Sequence, residues 1–265
     1  MIGVSARPVK SVATTAAPPA RKPVYLDGVE RMRVRAGDAA LAIVRRGWET
    51  VRLPIARISR VIASRSVDWD SEALILCLRH AVPIIFLDTD GQALGACQSC
   101  APKRTAFAEL IEEAVDDSRW NQLRDNWLRR RRASVLSAWR TAAQSRGNPV
   151  AVGDWLAYHR DYVYRNELPG AISREIDGWL YALVTESLQK HGIPARYGDT
   201  TSTPYNLARD LTALLRAELH FHGGRMLAAA DGPRALARLF EGWARCHDAL
   251  VVEHLADLKK TLRPN

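Results

Sequence analysis

The spacing of apolar residues changes once along this chain, near Pro102, and that change limits the fold more than any other feature. Before it, short runs rich in β-branched residues are separated by turn residues: VYLDG, RMRVRAG, ALAIVRRG, WETVRLPI and RISRVIAS, with Gly28, Gly37 and Gly47 near the gaps. An antiparallel sheet is the economical expectation, interrupted by one helix from Asp70 or Ser71 to His80 and followed by the strand, turn and strand of PIIFLDTDGQALG. After Pro102 apolar residues recur every three or four positions, which predicts helices over 106–116, 120–144, 153–165, 171–191, 203–221 and 233–260. Gly192 suits a helix C-cap and Pro204 a first helical turn. The expected fold class is α+β: a flexible basic tail over residues 1–22, a β-rich domain over 23–101 and a larger all-α domain over 102–265.

Charge narrows the partner class. Thirty-eight Lys and Arg against 29 Asp and Glu leave a net charge of +9, and the excess is arginine, whose planar guanidinium matches phosphate oxygens. Nucleic acid is the favoured partner, although an anionic membrane surface or an acidic protein would also be attracted. No run of about 18 apolar residues is present, so no membrane span is expected. Residues 1–22 lack the continuous apolar segment of a secretory signal, and four cysteines in 265 residues do not suggest a disulfide framework; the cytoplasm is the expected compartment. Cys97 and Cys100 form a single CxxC, for which turn or packing roles are favoured over metal binding because a structural zinc site usually needs four ligands.

The segment RWNQLRDNWLRRRRASVLSAWR, Arg119 to Arg140, is the clearest chemical signal. Trp120, Leu123, Trp127, Val135 and Trp139 can form a buried helix side, while Arg124, Arg129, Arg130, Arg131 and Arg132 crowd the remainder with positive charge. Clustered cations gain from counterion release on a phosphate backbone, so these five are the expected DNA contacts, with little base specificity. Four consecutive arginines span a full turn, so they cannot all face one ligand, and Asp116 or Asp125 can neutralise part of the charge.

The stretch ISRVIASRSVDWDSEALILCLRHAVPIIFLDTDGQALG, Ile58 to Gly95, resembles the CRISPR-associated spacer-acquisition integrase family in its order of strand, serine-started helix, apolar strand and Asp88-x-x-Gly91 turn. A second match lies in REIDGWLYALVTESLQKHGIPARYG and NLARDLTALLR, where Leu207, Asp210, Leu211 and Arg216 occupy the family's leucine, aspartate, leucine and arginine positions. The resemblance implies a β-rich then all-α chain that dimerises through its β-domain, holds double-stranded or branched DNA on a basic surface, and works with a small ferredoxin-like Cas partner. It also implies a metal-dependent DNA endonuclease and integrase activity using Mg or Mn bound by a glutamate, a histidine and an aspartate.

Asp210 takes the aspartate's place and is the expected catalytic and metal-binding residue. The rest of the set is missing: the next acidic position is Ala213, the loop IPARYGDTTST has no histidine, and SRGNPVAVGDWLAYHRDYVYR has no glutamate. Asp199 offers a second oxygen ligand or a turn role, and Asp154 an acidic substitute or a helix cap. His220 and His222 are two apart, so a regular helix does not place both on one face. The expectation is therefore a DNA-binding adaptation protein with a degraded active site; the alternative is a non-catalytic scaffold paired with an active paralogue or other adaptation proteins.

Overall fold

The computed structural model describes residues 20–27, 31–99, 105–168, 174–193, 197 and 206–263. Asp199 and most of the expected basic tail lie outside them. Strands β1 (Lys22–Leu26), β2 (Met32–Gly37), β3 (Ala40–Arg45), β4 (Val51–Pro54), β5 (Ile58–Ser64), β6 (Val67–Trp69), β7 (Ile84–Leu87) and β8 (Ala93–Cys97) make up the first part, with α1 (Ser71–Arg79) between β6 and β7. They form two four-stranded sheets, ordered β1-β5-β7-β8 and β4-β3-β2-β6. The sheets are mixed rather than antiparallel: β5 runs parallel to both β1 and β7, and β6 parallel to β2. Helix α1 supplies the crossover from β5 to β7 that a parallel pair requires, a non-local arrangement invisible to strand-by-strand reading.

Burial on both faces explains the nearly continuous apolar character of β5 and β7. Val61, Ala63 and Ile84 face the second sheet and α1, sharing a core with Val34, Leu41, Ile55 and Ala73. Ile62, Ile85 and Leu87 face the other way, into a helical core with Trp127, Trp179, Leu180, Leu211 and Phe240.

The helical part comprises α2 (Ala106–Val115), α3 (Trp120–Ser145), α4 (Val152–Tyr158), a π-helical stretch (His159–Tyr164), α5 (Arg174–Lys190), α6 (Leu207–Ala228), α7 (Pro233–Cys246) and α8 (Asp248–Leu262). Thr105 caps α2 by accepting from the Ala108 amide at 3.2 Å. The single helix expected over 233–260 is two: His247, at φ −120° and ψ 19°, breaks it, and its ring sits 2.8 Å from the Trp243 carbonyl and stacks on the Trp243 indole. No Gly or Pro marks the break, so periodicity ran through it. The helix expected over 153–165 is present, but at His159 it changes from α4 to the π-helical stretch, which buries Tyr162 and Val163. Asp154 does not cap α4, whose N-cap is Ala151.

Helix α5 joins the two parts, and the Asp88-x-x-Gly91 turn sets its approach. The Asp88 carboxylate accepts from the amides of Asp90 at 2.9 Å and Gln92 at 2.8 Å, tightening the turn, while Gly91 adopts φ 82°. A Cβ on Gly178 would lie 2.3 Å from the Gly91 carbonyl oxygen and 2.6 Å from Leu87 Cδ2. Gly178→Ala is therefore expected to cost about 1–3 kcal/mol in denaturant unfolding through forced separation of α5 from the turn. An unchanged midpoint would show that the helix can shift freely.

Candidate active site and nucleic-acid interface

Apolar residues at Leu207, Ala208, Leu211, Leu214 and Leu215 turn one side of α6 into the core, and Asp210, in the first turn, is carried in with them. Asn206 caps the helix by accepting from the Arg209 amide at 2.8 Å. The Asp210 side chain is only 9% exposed and meets the Arg124 guanidinium, whose Nε donates to Oδ2 at 2.7 Å and Nη2 to Oδ1 at 2.6 Å. Burial pushes the Asp210 carboxyl above its ordinary value, outweighing the opposite pull of Arg124 and then of the half-buried Arg132. Arg216 braces the neighbouring helix instead, 3.4 Å from Asp177 of α5.

Among the described residues, those around Asp210 do not fit a divalent cation. Both Asp210 oxygens are engaged by one guanidinium, and among the described residues no three His, Cys, Asp or Glu side chains come together as a metal-ligand set. Ala213 carries no ligand atom, Asp154 is exposed on α4, and His222 lies 3.6 Å from Glu218 rather than near Asp210. The positive charge that balances the aspartate is an arginine from α3.

The five expected DNA contacts are dispersed by the 100° step of the helix. Arg124 binds Asp210; Arg130 donates to Asp257 at 2.9 Å and Thr261 at 2.7 Å on α8; Arg131 Nε donates to His254 Nδ1 at 2.9 Å; Arg132 donates to the Val163 carbonyl at 3.4 Å. Of the five, Arg129 is exposed with no partner among the described residues. Much of the arginine run thus fastens α3 to its neighbours.

Two polar groups in this interior were not singled out from the sequence, although each breaks an apolar stripe. His254 is fully buried between Val251, Leu255 and Leu258, and burial followed by the Arg131 charge lowers its pKa to about 3. Glu218, between Ala217 and Leu219, is pushed up to about 7 by burial against the pull of Arg131. A carboxyl whose pKa rises on folding holds its proton more tightly in the folded state, so its effect on stability turns unfavourable as pH climbs from about 4.5 through about 7. Glu218→Gln should accordingly raise unfolding free energy by about 1–3 kcal/mol at pH 8, with the gain gone near pH 4. His254 acts in the opposite direction, because its depressed pKa removes stability as pH falls below about 6.5, but it is common to both proteins and cancels in the difference. A gain independent of pH would remove this assignment.

The fold has close counterparts among solved structures. A CAS1 protein from Thermotoga maritima superposes with TM-score 0.66 at 13% identity, covering 91% of this chain and 97% of the other. TtCas1, in a complex with DNA, gives 0.59 at 16% identity and 92% coverage of each chain. A casposase bound to integration product gives 0.61 at 13% identity, covering 83% of this chain and 82% of the other. No curated protein sequence matches the chain. The chain, a mixed-sheet part joined through α5 to a helical part, thus shares its overall fold with these structures. Residues 28–148 match the family model described as CRISPR associated protein Cas1.

Proposed function

We propose that this protein binds double-stranded or branched DNA in CRISPR spacer acquisition, as a homodimer through its strand-rich part, without a divalent metal at Asp210. The bidentate Arg124–Asp210 pair carries the reading, because it fills the carboxylate that the family resemblance assigns to Mg or Mn. DNA binding is supported by the net charge of +9, by exposed Arg129 and by the family match. Dimerisation is supported by Trp48, Val51 and Leu94, which are 67%, 53% and 63% exposed on the strand-rich part, with β4 and β8 at sheet edges. A small ferredoxin-like Cas partner belongs to the same reading, and so does a scaffold role beside a catalytically active paralogue.

The test measures binding and cleavage of labelled branched DNA by wild type, Asp210→Asn and Arg129→Glu, with Mg, Mn or chelator. Salt-sensitive binding without metal-dependent product is expected, unchanged in Asp210→Asn and weakened in Arg129→Glu, whose salt slope should fall by about one. Metal-dependent cleavage abolished by Asp210→Asn would replace this reading with a working integrase site.

A further inference from the structure

A cleft of about 930 Å³ opens between β1, β5, α5, α7 and α8, on elements that hold neither Asp210 nor the arginine run. Its volume falls within the roughly 300–1,000 Å³ typical of small-molecule sites. Leu183, Ala244 and Val251 give it an apolar floor, and the lining as a whole is mainly apolar. Its rim is cationic: Arg21 precedes β1 and Lys22 opens it, and Arg238 and Arg245 are seven residues apart on α7, hence on one side of that helix. The cleft's two carboxylates, Glu186 and Glu241, are both bound by buried Arg60, and Glu186 also by Lys190 at 2.6 Å. They are therefore matched without the rim cations.

The wall also holds Gln189, whose amide oxygen and nitrogen are both buried and both without a hydrogen-bond partner among the described residues. Leaving a buried primary amide unpaired is costly, and native structures rarely do so without a reason such as a ligand. An amide offers one donor and one acceptor side by side, the complement of an adenine edge. Four cations, an apolar floor and an unpaired amide call for a ligand with a negative group, a flat weakly polar body and a polar edge.

We propose that this cleft binds a nucleotide, its phosphate at the Arg238 and Arg245 rim and its base over the apolar floor within reach of a reoriented Gln189 side chain. Free nucleotides and the terminal nucleotide of a single strand share this chemistry.

Calorimetric titration of the full chain compares dAMP, a 5′-phosphorylated single-stranded tetranucleotide and inorganic phosphate. At least one of the first two should bind about tenfold or more tightly than phosphate, and the Arg238→Ser/Arg245→Ser variant should lose about tenfold of that affinity. Tighter binding of dAMP identifies a free nucleotide as the occupant, and tighter binding of the tetranucleotide identifies a strand end; either supports the site. Ala237→Phe, which fills the cleft from α7, should block binding, with thermal unfolding confirming that both variants fold. Arg129→Glu should leave dAMP or tetranucleotide affinity unchanged, so this site and the duplex-binding reading can fail separately. Equal affinity for inorganic phosphate, affinity unaltered by both cleft variants, or no binding at millimolar nucleotide would overturn the proposal.

Discussion

An Arg60→Met variant is expected to lose about 3–5 kcal/mol of unfolding free energy, read from urea midpoints at pH 7. Arg60, with a side chain 4% exposed, lies between Glu186 at 2.7 Å and Glu241 at 2.5 Å, so one strand residue ties β5 to α5 and α7. The Tyr25 hydroxyl donates to the same Glu241 carboxylate, and its ring packs edge-on against Trp179 at 5.2 Å, bringing β1 into the junction. Burial by itself would lower the Arg60 pKa, but Glu241 and then Glu186 overrule it and raise it. Burial likewise opposes the charge on Glu186, which Arg60 and Lys190 nevertheless hold below its ordinary value. Its favourable contribution is thus present at neutral pH and is lost as pH falls through the carboxylate range. Methionine fills the arginine's space but abandons both glutamates. The triple variant Arg60→Met/Glu186→Gln/Glu241→Gln should recover much of the loss, since it removes the uncompensated charges as well as the pairs. A single variant as stable as wild type would show that the strand-rich and helical parts are held together by apolar packing alone.

The Arg124–Asp210 pair should respond asymmetrically. Arg124→Ala strands a carboxylate that is 9% exposed and is expected to cost about 3–5 kcal/mol, whereas Asp210→Ala frees a guanidinium that is 27% exposed and can turn to water, at about 1–2 kcal/mol. Burial already pushes the Asp210 carboxyl upward with the arginine present, and Arg124→Ala should push it further, so the stability lost should shrink as pH is lowered toward that of a protonated carboxyl. Millimolar Mn should not raise the melting temperature of wild type or of Arg124→Ala, because removing the guanidinium supplies no further ligands. Mn-dependent stabilisation of Arg124→Ala alone would show that the arginine merely occupies a competent metal site.

Local signals carried the element order well. The helix from Ser71, the Asp88-x-x-Gly91 turn and the long helix from Trp120 are governed by periodicity and turn chemistry within a few residues, and each is where those signals placed it, although neither helix has a side-chain N-cap bond. The π-turn after Tyr158 and the break at His247 were not legible, because tertiary packing of Tyr162 and stacking of His247 on Trp243 decide them. The same limit applied to the site. Asp210 was identifiable by its position in a motif, but its partner Arg124 is 86 residues away and stood in a run that composition alone would assign to phosphate.

The sequence by itself determined the strand-rich and helical parts, the apolar faces and the excess positive charge. Tertiary structure decided the direction of the strands, the division of the arginines between interior and surface, and the cleft beneath α7. The physical reason is range. Hydrogen-bonded turns and periodic burial act among neighbours in the chain, whereas the environment of a charge depends on which distant element is folded against it.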